Sequence, residues 1–327
     1  MIMKILPDIG LRSTNYNEFH FTPDLLSGPR KPGISAYLRA RNEEQFVRLA
    51  ILSHLDYYDE IIACYNDCTD NTPQILHDLA EQYPDKIKAY HYLPKVHPPL
   101  SREHAQTPDD SVHGLANYYN YALSKTTFQV AVKLDADHLA IPHKLAPLID
   151  IIRRDIAAGK QKIYMFSGIN LAYDKDTTIG VAEHNPFSGV NDINYHPVNE
   201  QTIYHDSRKC ESFNKIYRRS LENEYMGIMY FHLKALKKNL RALEPADEGR
   251  IVSFEEFCSP ECHRRLRRQL NFHERLYCAL YAGERMRKLK YQLTGSPPRI
   301  KQVRLARLAD DLRDIDFKRD ALDQLEE

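Results

Sequence analysis

The stretch Val130-Ala131-Val132-Lys133-Leu134-Asp135-Ala136-Asp137-His138 decides how the chain is read. An apolar, β-branched run that stops at two carboxylates two residues apart reads as a buried central strand ending at a polar edge. Ligands of open α/β sheets collect beyond the carboxyl ends of the strands, so Asp135 and Asp137 are placed to hold a divalent cation or a ligand's hydroxyls. Asp-Ala-Asp suits Mg2+ or Mn2+ shared with a diphosphate, because a hard cation takes a few carboxylate oxygens and keeps positions open for phosphate. Taken alone, so short a pattern more often marks an exposed turn after a strand, and its surroundings must decide.

Working outward toward the N-terminus, residues 34–40 predict a first strand and residues 45–54 an amphipathic helix, with Asn42 as its cap and Glu43 and Glu44 in its first turn. Residues 60–65 predict a second strand. Asn66 to Pro73 is turn-forming and opens a helix through residue 83, with Thr72 as N-cap and Pro73 at the first helical position. A third strand follows over 86–93. This β-α-β-α-β alternation with short links argues for a parallel, doubly wound sheet. Residues 94–112 form a long connection of the kind that is functional or mobile, and a helix over 113–123 leads into the decisive strand.

Toward the C-terminus, Pro142 opens a helix through residue 153, and 162–171 predict another strand. Residues 174–207 then lose regularity, with Glu183, His184, Asp192, His196 and His205 interleaved among Asn, Pro and Gly. Such a segment is a disordered flap or the acceptor side of a site. An edge strand is expected over 213–217, a short strand over 227–232 ending in His232, and a helix over 233–243. From Glu255 onward Arg, Leu and Glu recur at helical spacing, including Arg264-Arg265-Leu266-Arg267-Arg268. That arginine face is either solvated or a contact for anionic lipid head groups or a partner chain.

These elements divide the chain into an N-terminal arm (1–33), an α/β domain (34–245) and a basic helical extension (246–327). Lys+Arg and Asp+Glu each number 45 in 327 residues, so no basic excess points to nucleic acid. Hydrophobic residues at 43% and charged ones at 28% describe an ordinary globular chain. No apolar run is long enough for a membrane span, and Met1 to Pro7 is too short for a signal peptide, so a cytoplasmic protein is expected. Six scattered cysteines fit a reducing compartment. Cys258-x-x-x-Cys262-His263 lacks the second ligand pair that a structural zinc site needs.

Three stretches together resemble the nucleotide-sugar-dependent glycosyltransferases of the GT-A fold, in particular family 2 and its relatives in bacterial surface-polysaccharide synthesis. Residues 34–44 look like that family's opening strand and asparagine-glutamate pair. Asn66-Asp67-Cys68-Thr69-Asp70-Asn71-Thr72 is similar to its D-G-S-T-D-x-T turn, and Lys133 to Asp137 to its D-x-D metal motif. The resemblance covers roughly residues 34–150. It implies a Rossmann-like, nucleotide-sugar-binding mixed sheet flanked by helices, here followed by the α-helical extension. The implied reaction moves a sugar from a nucleoside diphosphate, a UDP-sugar being favoured, to a glycan or glycolipid in capsule or lipopolysaccharide synthesis, with inversion.

Such a reaction requires neutralisation of the leaving diphosphate, a grip on base and ribose and, if it inverts the anomeric centre, a carboxylate to deprotonate the attacking hydroxyl; a retaining reaction needs no such base. The resemblance assigns the metal to Asp135 and Asp137, with His232 completing its sphere. Lys234 could add positive charge near the diphosphate. It assigns the donor to Arg41, Asn42, Glu43, Asn66, Asp70, Lys133 and Asp135. The general base would come from Glu183, Asp192, Asp206 or Glu211. Asp206 and Glu211 are favoured because they precede the expected edge strand and Arg218-Arg219. The chain departs from the family at Tyr65-Asn66, where an acid is usual, and in lacking the Glu-Asp-x-x-Arg-Trp motif and any tryptophan. The C-terminal helices could meet the inner face of the plasma membrane or pair two chains. Two readings compete: a sugar nucleotidyltransferase, disfavoured because Arg39 to Glu43 holds no glycine-rich phosphate loop, and a degenerate transferase domain serving as a scaffold.

Overall fold

The computed structural model describes residues 21–98, 101–108, 111–174, 178–183, 186–188, 194–206, 211–213, 220–238, 250–268 and 310–326. They fall into two compact units. The first comprises the described residues of 1–51, 58–136 and 196–217, and the second those of 52–57, 137–195 and 218–327. Both are mixed α/β in composition.

In the first unit, β1 (Lys31–Ala40), β2 (Glu60–Tyr65), β3 (Ile87–His91) and β4 (Phe128–Leu134) lie in the order β3-β2-β1-β4, all parallel. Every residue of β2 is buried, which is why its sequence carries no polar alternation. Its first residue, Glu60, is a buried charge with satisfied oxygens: Ser35 Oγ donates to it at 2.7 Å, the Thr127 amide and hydroxyl donate as well, and Lys88 pairs with it at 3.1 Å. Helices α1 (Val47–His54), α2 (Thr72–Gln82), α3 (Arg102–Gln106) and α4 (Leu115–Ser124) fill the connections. Nine of the ten residues of α4 are buried. Its tyrosines 118, 119 and 121 form one core cluster with Tyr37, Ile62 and Tyr92.

The second unit carries β5 (His138–Ala140), α5 (Pro142–Ala157), β6 (Lys162–Tyr173), β7 (Ile179–Ala182), β8 (Phe187–Ser188) and β9 (Asn194–Pro197), the last crossing the division between units. After them β10 (Tyr204–Asp206) and β11 (Glu211–Phe213) make an antiparallel hairpin in the first unit. There Asn120 exchanges two hydrogen bonds with the Tyr204 backbone, and the Tyr37 and Tyr204 hydroxyls meet at 2.6 Å. β12 (Glu222–Ala235) and β13 (Ile251–Val252) return to the second unit. β12 runs parallel to β6 and antiparallel to β5, and β7 joins β6 to β13. Phe231, Phe254, Phe257 and Phe317 pack ring on ring, with Phe254 stacked on Phe317 at 4.3 Å, and so fix residues 310–326 against β12.

Several expectations change. Residues 233–235 are strand rather than helix, because β12 continues for fourteen residues. Pairing with β6, together with a Leu233 amide that donates to the Asp137 carbonyl at 2.8 Å, outweighs the helical propensity of Leu-Lys-Ala-Leu-Lys-Lys. The segment 174–207 holds β7, β8, β9 and β10 instead of a flap, each too short for periodicity to reveal. At the expected edge strand β11 begins two residues earlier, at Glu211, and includes Phe213, while 214–217 fall outside the described residues. Residues 94–112 contain the short α3. The cap of α2 is Asn71, one residue before Thr72, with Pro73 in the first turn as expected. Asn42 does not cap α1, which begins only at Val47.

Candidate active site

The decisive stretch delivers Asp137 and His138 into the second unit. Antiparallel pairing of β5 with β12 sets His138 opposite His232 in register. The Asp137, His138 and His232 side chains each bring a donor atom within 4.8 Å of the others, the one such group among the described residues. Asp137 and His138 are buried, and His232 is half-buried. His232 Nε2 stands 3.5 Å from Asp137 Oδ1, and its Nδ1 lies 2.8 Å from Asn170 Oδ1 on β6. With Nδ1 directed at Asn170, Nε2 is left facing the Asp137 carboxylate, where it can serve as a ligand to a cation held between the two. His138 stacks on Tyr230 with centroids 3.8 Å apart, which fixes its ring plane. Lys237 Nζ reaches Asp137 Oδ2 at 2.6 Å. Burial would push the Asp137 carboxyl up, but His232, Lys237 and His138 together outweigh it and hold the group well below the usual carboxylate range. One carboxylate and two imidazoles, one of them oriented by an outer amide, form a donor set suited to a divalent transition-series ion.

At the carboxyl ends of the strands of the first unit, Lys133 is 7% exposed and holds Asp135 at 3.2 Å. The Arg39 guanidinium lies over Tyr119, 3.1 Å from the ring centroid, and Lys133 Nζ is 5.7 Å from the same ring. The first two strand ends are knitted together by their turns. Asn42 and Asp67 both adopt left-handed backbone conformations, which their short polar side chains tolerate. Asn42 Oδ1 accepts from the Thr69 amide at 2.7 Å, and Arg41 pairs with Asp67 at 2.8 Å. Thr72 Oγ1 accepts the Glu43 amide, while Asp70 accepts the amides of Glu44 and Thr72. Asn66 turns away from this group. Its Nδ2 donates to the carbonyls of Tyr92 and Pro94, and its Oδ1 accepts from the Val96 amide, so the side chain anchors the segment after β3.

The structure therefore brings Arg41, Asn42, Glu43 and Asp70 together in one turn system, joins Lys133 to Asp135, and gathers Asp137 with His232. Asp206 and Glu211 are register partners across the β10–β11 hairpin. Glu183 is buried in an ion-pair network with Arg265 and Arg250. Lys234 is exposed. Asp192 and Arg218-Arg219 lie outside the described residues, as does 269–309 of the basic extension. Sequence reasoning missed His138, whose only local signal is that it follows Asp137. It also missed Lys237, which a helical reading of 233–243 obscured.

Residues 13–188, more than half of the chain, match the family model described as Beta-1,4-N-acetylgalactosaminyltransferase (CgtA). The chain belongs to this family. It is accordingly a glycosyltransferase, as the three motifs implied, and the nucleotidyltransferase and scaffold readings fall away. No curated protein matches this family member in sequence. Among solved structures it is similar to S. aureus TarS 1-349, at 11% identity over 85% of this chain and 90% of that one with a TM-score of 0.38. It is also similar to glucosyl-3-phosphoglycerate synthase from Mycobacterium tuberculosis in complex with Mg2+ and uridine-diphosphate, at 15% identity over 68% and 78% of the two chains with a TM-score of 0.33. Among the described residues no helix of this CgtA-family chain is long and apolar enough to cross a membrane.

Proposed function

We propose that this chain is a divalent-metal-dependent transferase that moves a sugar from a nucleoside-diphosphate donor, a UDP-sugar in the first instance, to a glycan or glycolipid acceptor. The family's description suggests N-acetylgalactosamine as the sugar and β-1,4 as the linkage. The observation that carries the reading is the Asp137–His138–His232 group at the end of a D-x-D stretch. Asp137 and His232 would hold Mn2+ or Mg2+, with His138 added to the set, while Asp135, which lies outside that group and pairs with Lys133, would serve the donor instead. A bound divalent ion supplies Lewis-acid neutralisation of the departing diphosphate.

The chain's own residues supply the rest. Asn170 orients the His232 ring, and Tyr230 orients that of His138, so neither ligand has to be ordered when the donor arrives. Lys133 pairs with Asp135. Arg41, Asn42, Glu43 and Asp70, fixed by their mutual turn bonds, would present donor contacts for base and ribose, while Asn66 holds the segment beyond β3 in place. In an inverting reaction Asp206 or Glu211 would take the proton of the acceptor hydroxyl. On this reading the product is a capsule or lipopolysaccharide glycan, built in the cytoplasm at the inner face of the plasma membrane. The arginine-rich segment from 264 onward would meet anionic head groups there or pair two chains.

The test is a thermal-shift titration with UDP, GDP, CDP and CMP, with and without Mn2+, on the wild type and on Asp137→Ala. UDP release from UDP-N-acetylgalactosamine and UDP-glucose is measured alongside. The expected result is stabilisation by UDP only with metal, about 2.7 kcal/mol at a hundredfold excess over Kd, lost in Asp137→Ala. Stabilisation by no nucleotide, with or without metal, would sink the proposal.

A further inference from the structure

Asp137 already carries a cation. Lys237 Nζ lies 2.6 Å from its Oδ2, with side chains only 10% and 8% exposed, so this is a desolvated pair rather than a surface contact. A divalent ion bound through the same carboxylate needs an oxygen at about 2.0–2.6 Å, and an ammonium left at its present distance would then sit within a few ångströms of a dication. Two such charges in a dry site repel strongly. Among the described residues, the imidazoles of His232 and His138 also face the carboxylate, and Asn170 stands behind the first of these. None of them offers a counter-charge that could absorb the excess.

Lys237 is also built to leave. It lies past the end of β12, beyond a turn in which the Leu236 amide donates to Leu233 O and the Lys237 amide to Lys234 O, whereas His232 is fixed within the strand. Its four-carbon stem lets the ammonium withdraw while strand and histidines stay in place.

We propose that Lys237 is the resident counter-cation of the Asp137 carboxylate, which a divalent ion must displace, so that metal binding and Lys237 release are a single exchange. No covalent bond changes in this step; one ammonium leaves the carboxylate and one dication replaces it. Lys237 is thus a positioning residue that keeps the metal-free site charge-balanced and sets metal affinity lower than the ligands alone would give. This rests on the metal-dependent reading above.

The test is a Mn2+ titration of the full-length chain, following the free-ion electron paramagnetic resonance signal, for wild type, Lys237→Met, Lys237→Gln and Lys237→Arg, with Asp137→Asn as site control. Lys237→Met and Lys237→Gln are expected to bind Mn2+ at least tenfold more tightly than wild type, and Lys237→Arg within threefold of it. Asp137→Asn is expected to lose the site. Without metal Lys237→Met should melt below wild type, and the gap should close as Mn2+ saturates, which a merely structural salt bridge would not produce. Should Lys237→Met fail to fold, Lys237→Gln carries the same expectation with a hydrogen bond to Asp137 retained. Folded neutral variants that bind Mn2+ no better than wild type would overturn the exchange and leave the metal reading intact. Absence of saturable Mn2+ binding in every form, with or without UDP, would overturn both.

Discussion

Replacing Gly168 with alanine should damage the fold and the metal group together, through one tyrosine. Gly168 on β6 is the register partner of Tyr230 on β12. A Cβ at Gly168 would stand 2.6 Å from Tyr230 Cδ2 and closer still to two further atoms of that ring. Carbon atoms pack at about 3.5–4.0 Å, so the ring has to retreat by roughly 1 Å. It has little room. Tyr230 is 1% exposed, its hydroxyl lies 3.0 Å from Ser188 Oγ, and its ring is stacked on His138. Overpacking of this kind costs about 1–3 kcal/mol, which lowers the melting midpoint by about 1–5 °C in a chain of this size. The displaced His138 should in turn weaken Mn2+ binding by about tenfold, as loss of an outer support typically does. The assay is a denaturant melt with a Mn2+ titration on Gly168→Ala, Tyr230→Leu and the double variant. Because leucine removes the ring atoms that collide, the double variant should be more stable than the sum of the two single losses by about 1–2 kcal/mol. Strict additivity, or a Gly168→Ala protein with unchanged midpoint and unchanged Mn2+ affinity, would refute the argument.

The remaining predictions test other links in the structure. Asn66→Ala removes three bonds to the backbone of Tyr92, Pro94 and Val96 in a buried setting, and should cost about 2–4 kcal/mol. Limited proteolysis should then cut within residues 94–112, and a protein as resistant as wild type would contradict the anchoring role. Asp155 accepts from the Tyr164 hydroxyl at 2.6 Å and pairs with Lys160 and Lys162, which pull its carboxyl down to about 2 from 3.8. Its folded value lies below the unfolded one, so the unfolded chain takes up the proton first; this stability is present above about pH 4 and is lost as pH falls toward 2. Asp155→Asn should therefore cost about 1–2 kcal/mol at pH 7, a figure discounted for its exposed lysine partner, and the gap to wild type should close in melts taken toward pH 2. Asp137→Ala should abolish metal-dependent UDP stabilisation while retaining a native far-UV spectrum, and a retained shift would remove Asp137 from the metal set.

Part of this is legible in the amino-acid sequence alone. The apolar runs of β1, β2 and β4 announce buried parallel strands because both faces are covered, and Thr72-Pro73 announces the start of α2 to within one residue. Asp135 and Asp137 stand out because two acids closing such a run make little sense inside a core. The turn residues were harder to interpret. Asn42 looks like a helix cap in isolation, yet its carbonyl oxygen is taken by Thr69, a partner that only the parallel pairing of β1 and β2 brings alongside.

The amino-acid sequence by itself determined the strand and turn chemistry, the aspartate pair and the transferase family, because each of these is written in local periodicity, local propensity or a short motif. What surrounds Asp137 was decided by tertiary structure alone. His138 and His232 face each other because β5 runs antiparallel to β12, and Lys237 reaches the carboxylate because Leu233–Ala235 extends a strand where its own propensity favours helix. Hydrogen bonds between distant strands fixed those positions, and no stretch of sequence short enough to show a period contains both sides of such a pairing.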